Sequence, residues 1–230
     1  MVGMTNEAVR KEWLRKTLKQ LPAGLRLLDA GAGELANKAF CAHLEYVSQD
    51  FCQYEGTGDK KGLQEGSWDT KKIDIVGDIT EIPEEDESFD VVLCTEVLEH
   101  LPEPTLALEE FYRLLKPNGI LILTAPFCSL THFAPYHYST GFNSYFYEHH
   151  LKKLGFQLQE MERNGNFFEF LAQEIHRVPL IAQKYTSQNT SRWERFAMKI
   201  VLKMLERFSK HDTSSNEVLC FGYHVIAIKK

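Results

Sequence analysis

The segment Leu27-Leu28-Asp29-Ala30-Gly31-Ala32-Gly33-Glu34-Leu35-Ala36 decides the fold. Its apolar start reads as a strand, its glycines as a bend, and the residues beyond as the start of a helix. Glycines without Cβ let backbone N–H groups come close to a ligand, and a helix N-terminus beyond them adds aligned amide dipoles. The pattern G-x-G-x-x-A also fits a dinucleotide site: Asp50 lies 19 residues after Gly31, near the spacing of about 20 expected for a ribose-binding carboxylate. Two cofactor classes therefore compete at this bend. Asp29 separates them, because a carboxylate beside the bend repels a pyrophosphate but accepts hydrogen bonds from the ammonium group of a bound amino acid.

Outward from the bend, short apolar strands alternate with helical stretches, the signature of a parallel α/β sheet. Strands are predicted over Leu25 to Ala30, Glu45 to Asp50 and Lys72 to Gly77. Phe89 to Cys94 and Ile120 to Thr124 are apolar on both faces, as buried central strands should be. Between these two, Pro104 to Lys116 carries Leu108, Phe111, Leu114 and Leu115 at helical spacing, and Pro117-Asn118-Gly119 ends the helix. A helix over Glu148 to Leu154, a strand over Phe156 to Arg163 and a closing strand over Tyr223 to Lys229 complete the pattern. The stretch from Ile175 to Asn216 interrupts it with a helical stripe that includes Trp193, Phe196, Ile200, Val201, Met204, Leu205 and Phe208. This insert is read as a lid or cover, although Arg195, Lys199, Lys203 and Arg207 within it also allow a membrane-surface or dimer helix.

The 230 residues are 43% hydrophobic, enough for a substantial core, and 26 basic against 32 acidic residues give a net charge of -6. That balance argues against nucleic acid as a partner. Five cysteines, odd in number and without a C-x-x-C pair, fit reduced thiols. The first residues lack the apolar run of a signal peptide, and no run reaches membrane-spanning length. The expectation is a cytoplasmic protein with neither a nucleic-acid nor a membrane partner.

With these motifs in order, the chain resembles the class I S-adenosylmethionine-dependent methyltransferases of the small-molecule, type 11-like kind, over residues 25 to about 156. The resemblance implies S-adenosyl-L-methionine as cofactor. LLDAGAGE looks like the family's first motif, so Asp29, Gly31, Ala32 and Gly33 inherit cofactor contacts. Asp50 matches the ribose-diol carboxylate, and two acceptor oxygens suit two adjacent hydroxyls. Gly77-Asp78-Ile79-Thr80 matches the acidic position after strand three, which assigns Asp78 to the adenine amino group and Ile79 to the ring face. Phe89 to Leu101 (FDVVLCTEVLEHL) resembles the fourth-strand motif and adds Thr95 and Glu96 to the cofactor set, and Leu114 to Pro126 matches the helix end and fifth strand. Phe51 to Thr70, Gly-rich and charged, departs from the family because its usual helix has no place there.

A methyl sulfonium is already activated, so the enzyme's main task is alignment of the acceptor. An oxygen nucleophile also needs its proton removed, and histidine titrates nearest neutrality. His132 and His137, in the aromatic-rich stretch Phe127 to Tyr147, are the candidate catalytic residues, with Tyr136 and Tyr138 beside them. Their other reading is that of structural loop histidines. Glu96, Glu99 and His100 form E-x-x-E-H, which lies on one face if a helix begins at Glu96. Methyltransferases similar to those of the ubiquinone pathway, or acting on small-RNA ends, use such a motif to hold a metal. Two carboxylates and one imidazole need a further ligand. His132 or His137 could give it, but the sequence does not bring them together, and no metal is expected.

The expected architecture is α/β: one Rossmann-like, doubly wound domain over 1–230, with a core of about 25–170 plus 217–230. Its mostly parallel seven-stranded sheet has a last strand that the resemblance makes antiparallel, preceded by the helical lid insert at 175–216. The expected activity is methyl transfer to an oxygen or nitrogen of a small-molecule acceptor. A nicotinamide-dependent oxidoreductase and a non-catalytic cofactor-binding module are the rivals. The first leaves Asp29 and Gly77 to Thr80 unexplained.

Overall fold

Leu27, Leu28, Val91, Val92, Leu93 and Leu121 to Leu123 are all fully buried, and the three segments that carry them lie side by side. They are β1 (Arg26–Ala30), β4 (Phe89–Thr95) and β5 (Leu115–Pro126) in a computed structural model that describes residues 1–230. With β2 (Glu45–Asp50), β3 (Ile75–Val76), β6 (Phe156–Asn164) and β7 (Gly222–Lys229) they form a seven-stranded sheet of order β3-β2-β1-β4-β5-β7-β6. The pairs from β3 through β5 are parallel, and β7 runs antiparallel to β5. The fold is the Rossmann-like α/β arrangement expected. Strand order reverses between β1 and β4, and the carboxyl ends of these two strands border the crevice where open α/β sheets bind ligands.

Three departures from the predicted elements have physical causes. The third strand shrinks from 72–77 to two residues. Asp74 supplants ladder bonds there, its carboxylate accepting from the Ser48 backbone N–H (2.9 Å) and hydroxyl (2.6 Å). β5 starts earlier than predicted, at Leu115, passing through Asn118 in the left-handed region (φ 63°) and a register shift between Phe89 and Val91. No α-helix follows the glycine bend. Leu35 turns left-handed (φ 62°), and a single 3-10 turn at Lys38–Phe40 is all the helix that forms.

The helices are α1 (Asn6–Gln20), α2 (Pro104–Leu114), α3 (Ser144–Leu154), α4 (Phe167–Thr186) and α5 (Arg192–Ser209). Pro104 opens α2, where its missing N–H is no loss, and Ala107, Leu108, Phe111 and Leu114 give it a fully buried stripe. α3 is capped by Asn143, whose side chain accepts from Phe146 N at 3.2 Å, and ends on Gly155 at φ 95°.

The chain forms two compact units, Lys11–Glu162 with Gly222–Lys230, and Met1–Arg10 with Arg163–Phe221. The first contains a core of Leu14, Leu18, Leu21, Leu27, Cys41, Val91, Leu93 and Ile122. The second is built on Val2, Ala172 and Leu205, with Phe168, Leu171, Ile175, Val201 and Leu202 packed around them. It extends beyond 175–216 because the first residues of the chain are stitched into it. Gly3 N donates to Glu169 Oε2 at 2.7 Å, and Asn164 Nδ2 donates to the Asn6 carbonyl at 3.0 Å. No helix is long and apolar enough to cross a membrane.

Candidate functional site

Asp29 sits near the end of β1 with no solvent exposure. Its Oδ2 accepts from the Tyr46 hydroxyl at 2.6 Å, and its Oδ1 is buried without a hydrogen-bond partner. Burial pushes this carboxyl up to about 6, against the lowering effects of the Tyr46 hydroxyl and the Asn37 amide.

The bend that follows is held by β2. The N–H groups of Gly31 and Ala32 donate to the Gln49 carbonyl at 2.9 and 2.8 Å, and Gly33 N donates to Asp50 Oδ2 at 3.0 Å. These amides are used within the protein, so they do not form the open nest of N–H groups that holds phosphates. A Cβ on Gly33 would lie 2.6 Å from Trp68 Cζ2, which shows the Trp68 ring lying against the bend.

The other expected cofactor residues fall around this corner. Asp50 is 7% exposed. Its second oxygen accepts from Cys52 N at 2.8 Å, and each oxygen retains a further lone pair. The Gly77 corner is fastened to the end of β2 by Gln49 Nε2 donating to the Gly77 carbonyl at 2.7 Å. Asp78, next along, is exposed and accepts from the Thr80 N–H and hydroxyl, whereas Ile79 is buried. At the end of β4, Thr95 Oγ1 accepts from Asn37 Nδ2 at 3.2 Å, and Glu96 N donates to the Thr124 carbonyl at 2.8 Å.

No helix begins at Glu96. Its φ of 55° precludes one, and the chain makes a 3-10 turn over Leu98–His100 instead. Glu96 therefore does not share a face with Glu99 and His100 as the motif spacing had implied. The buried Glu99 carboxylate faces two histidines: its Oε1 lies 3.7 Å from His100 Nε2 and 4.0 Å from His132 Nε2. The opposite ring nitrogens are fixed by backbone carbonyls, His100 Nδ1 at 2.6 Å from Tyr136 O and His132 Nδ1 at 2.8 Å from Leu130 O. A carbonyl oxygen only accepts, so each Nδ1 carries hydrogen and each ring directs its Nε2 to the Glu99 side. Burial holds His100 down to about 3 and His137 below the usual histidine range, with His132 adding to both effects.

The ligand atoms of Glu99, His100 and His132 lie within 4.8 Å of one another. One carboxylate and two imidazoles, each anchored through its far nitrogen by a carbonyl, make a set able to hold a divalent cation. The sequence offered His132 or His137 as the extra ligand; the fold brings in His132. His137 stands close by, its ring 4.9 Å from that of His132 and its Nε2 3.2 Å from Ser129 Oγ.

Residues that sequence reasoning missed line the same region. The segment from Phe51 to Thr70 forms no helix and folds against the histidine loop. Leu63 N donates to the Thr131 carbonyl at 2.9 Å, Tyr54 stacks on Phe133 at 4.2 Å between ring centres, and Trp68 meets the same ring edge-on at 4.9 Å. Three large aromatics, Phe51, Tyr54 and Trp68, in an otherwise polar, Gly-rich stretch were the only signal. Tyr138, expected beside the histidines, has an exposed ring but a backbone N–H that donates to the Glu99 carbonyl at 3.0 Å.

Residues 28–123 match the family model described as Methyltransferase domain. A ubiquinone biosynthesis O-methyltransferase of Xanthomonas axonopodis pv. citri is 33% identical over 119 residues, 50% of this chain and 48% of the relative. A demethylmenaquinone methyltransferase of Staphylococcus haemolyticus is 30% identical over 123 residues, 49% of this chain and 48% of the relative. The chain thus spans about half the length of the curated relatives it matches. Among solved structures, an S-adenosylmethionine-dependent methyltransferase from Archaeoglobus fulgidus has a TM-score of 0.55 at 16% identity, covering 96% of this chain and 94% of its own. A phosphoethanolamine N-methyltransferase 2 of Haemonchus contortus, in complex with S-adenosyl-L-methionine, has a TM-score of 0.54 at 19% identity, covering 96% of this chain and 52% of its own. At these identities the structural likeness speaks for the fold alone.

Proposed function

We propose that this chain, whose residues 28–123 carry a domain of the methyltransferase family, transfers the methyl group of S-adenosyl-L-methionine to a small-molecule hydroxyl. The observation that carries the reading is Asp29. A buried carboxylate with one oxygen lacking a partner, beside a bend whose amides are already used, suits a cationic amino-acid head and not a phosphate. Bound there, the cofactor supplies an activated methyl electrophile.

The rest of the site follows from the chain's own groups. Asp29 receives the ammonium, Gly31, Ala32 and Gly33 let the methionine end approach the backbone, and the spare lone pairs of Asp50 receive the ribose hydroxyls. Ile79 packs on the adenine with Asp78 at its edge, and Thr95 and Glu96 close the β4 side. On the acceptor side, His132 takes the hydroxyl proton at Nε2, and the nearby Glu99 carboxylate (4.0 Å) offsets the imidazolium charge that forms. His137 orients the acceptor. The Xanthomonas relative's description as an O-methyltransferase supports an oxygen acceptor; nitrogen is the other atom this arrangement would serve.

Thermal-shift and calorimetric titration with S-adenosylhomocysteine and with NAD tests the donor side. Stabilisation by S-adenosylhomocysteine alone is expected. Stabilisation by NAD alone overturns the reading in favour of an oxidoreductase, and donor binding without methylation of any acceptor in a labelled-cofactor screen reduces the chain to a binding module.

A second reading of the acceptor side rests on the converging Nε2 atoms of His100 and His132. Glu99, His100 and His132 would hold a divalent ion, supplying a Lewis acid for the acceptor oxygen. In that case His132 serves as a ligand and His137 is the remaining proton acceptor.

A further inference from the structure

Helix α5 has two apolar rows where a helix packed on one partner needs only one. Its first row is used: Leu205 is buried, and Val201 and Leu202 pack with it into the α4 cluster. The second row, Trp193, Phe196, Ile200, Met204 and Phe208, recurs every three or four residues along the whole helix. It stays 82, 57, 55, 41 and 40% exposed, respectively.

The polar residues are distributed unevenly around this second row. Residues 192–210 carry six cations against Glu194 and Glu206, a local excess of +4 on a chain whose net charge is -6. At 3.6 residues per turn, Lys203, Arg192, Lys210, Lys199 and Arg195 follow one another around the flank of the exposed row away from the α4 contact, with one acid, Glu206, among them at 3.8 Å from Lys210 Nζ, and Arg207 lies within the row itself. The helix is held in shape by a capping box, Ser191 Oγ accepting from Glu194 N at 3.2 Å and Glu194 Oε2 accepting from Ser191 N at 2.7 Å.

We propose that α5 lies on an anionic lipid surface, with Trp193, Phe196, Ile200, Met204 and Phe208 in the interfacial layer and the cationic flank on the headgroups. An aromatic and aliphatic row bordered by Lys and Arg is the composition of a helix that rests in the plane of a bilayer interface. A second copy of the chain fits less well in the antiparallel arrangement, because that two-fold contact through this row sets one cationic flank beside another. The expectation of no membrane partner rested on the lack of a spanning segment, which a surface helix does not need, and on reading the insert as a lid or cover, which leaves the exposed row of α5 without a partner. The proposal stands independently of the methyl-transfer reading.

Flotation of the full chain with phosphatidylcholine vesicles, with and without phosphatidylglycerol, tests it. Binding is expected only to the anionic vesicles, weakening as salt rises, with a blue shift in tryptophan emission that Trp193→Phe removes. Lys199→Glu with Lys203→Glu should lower the vesicle partition coefficient by about tenfold or more. Phe196→Ser with Ile200→Ser should abolish binding, while the unfolding temperature and S-adenosylhomocysteine affinity of both double variants stay at wild-type values. Lack of binding to anionic vesicles overturns the proposal, as does binding that survives both double variants. So does a dimer in sedimentation that Phe196→Ser with Ile200→Ser converts to monomer.

Discussion

Gly33 donates its backbone N–H to Asp50 Oδ2 at 3.0 Å, so the residue assigned to the ribose also holds the shape of the bend assigned to the methionine end. Asp50→Ala leaves the N–H groups of both Gly33 and Cys52 without their acceptor. Cofactor affinity should fall by about 1–3 kcal/mol, and the unfolding temperature should fall with it. Asp50→Asn, which keeps a carbonyl acceptor, should lose less of both. Calorimetry with S-adenosylhomocysteine reads the first effect, and unchanged affinity in Asp50→Ala removes the ribose role.

Asp29 makes the ligand-free chain sensitive to mild acidity. Burial raises its carboxyl from 3.8 to about 6, so the folded chain holds a proton that the unfolded chain gives up. Stability from this group is complete below about pH 4 and is lost as pH rises through about 6, on the scale of roughly 3 kcal/mol. An ammonium partner favours the charged form, so cofactor binding should tighten over the same rise. Denaturant midpoints and affinities measured from pH 4 to 8 check both slopes, and Asp29→Asn should flatten both. A wild-type affinity that weakens on going from pH 5 to 7 contradicts the ammonium contact.

Gly33→Ala places a side chain at φ +51° and 2.6 Å from Trp68 Cζ2. The backbone cost alone is about 1–2 kcal/mol, and the indole must move as well. Loss of stability accompanied by altered tryptophan emission is expected. In the double variant Gly33→Ala with Trp68→Ala, the summed destabilisation should be smaller than that of the two single changes added. Additive effects would mean that the Trp68 ring does not rest on the bend.

If Glu99, His100 and His132 hold a metal, Mn²⁺ or Zn²⁺ should raise the unfolding temperature of the chelator-treated chain. A free ion at about 100 times its Kd contributes about 2.7 kcal/mol, or roughly 5–10 °C for a chain of this size. Glu99→Gln and His132→Ala should each abolish the shift, and Glu96→Gln should preserve it. Equal shifts in wild type and Glu99→Gln would rule out this site, leaving His132 as the proton acceptor.

The sheet was legible because its central strands are apolar on both faces. Val91 to Leu93 and Leu121 to Leu123 have no alternative to burial, and Asp29 and Asp50 were placed at strand ends by the separate readings of Leu25 to Ala30 and Glu45 to Asp50. Where the reading failed, a single backbone torsion decided the matter. Leu35 and Glu96 both adopt positive φ, which bulky or charged residues seldom do and which no periodicity announces. One cost the helix after the bend; the other removed Glu96 from the Glu99 and His100 face. The Tyr54, Trp68 and Phe133 cluster was hidden for another reason, since its members approach only when two loops far apart in sequence close on each other. The Leu130 and Tyr136 carbonyls that set the histidine tautomers carry no residue-type signal at all.

β7 slots between β5 and β6 although it comes after both in the chain. On a ribosome, the open flank of β5 must therefore wait while everything up to Phe221 is made, including both long helices, before its neighbour emerges. During that interval Leu121 and Leu123 belong to an unfinished ladder, the kind of exposed template that invites pairing with another nascent copy. Slow translation downstream of Pro126 would lengthen the exposure. Yield in a cell would then depend on synthesis rate and chaperone supply, even for variants whose finished fold is as stable as the parent's.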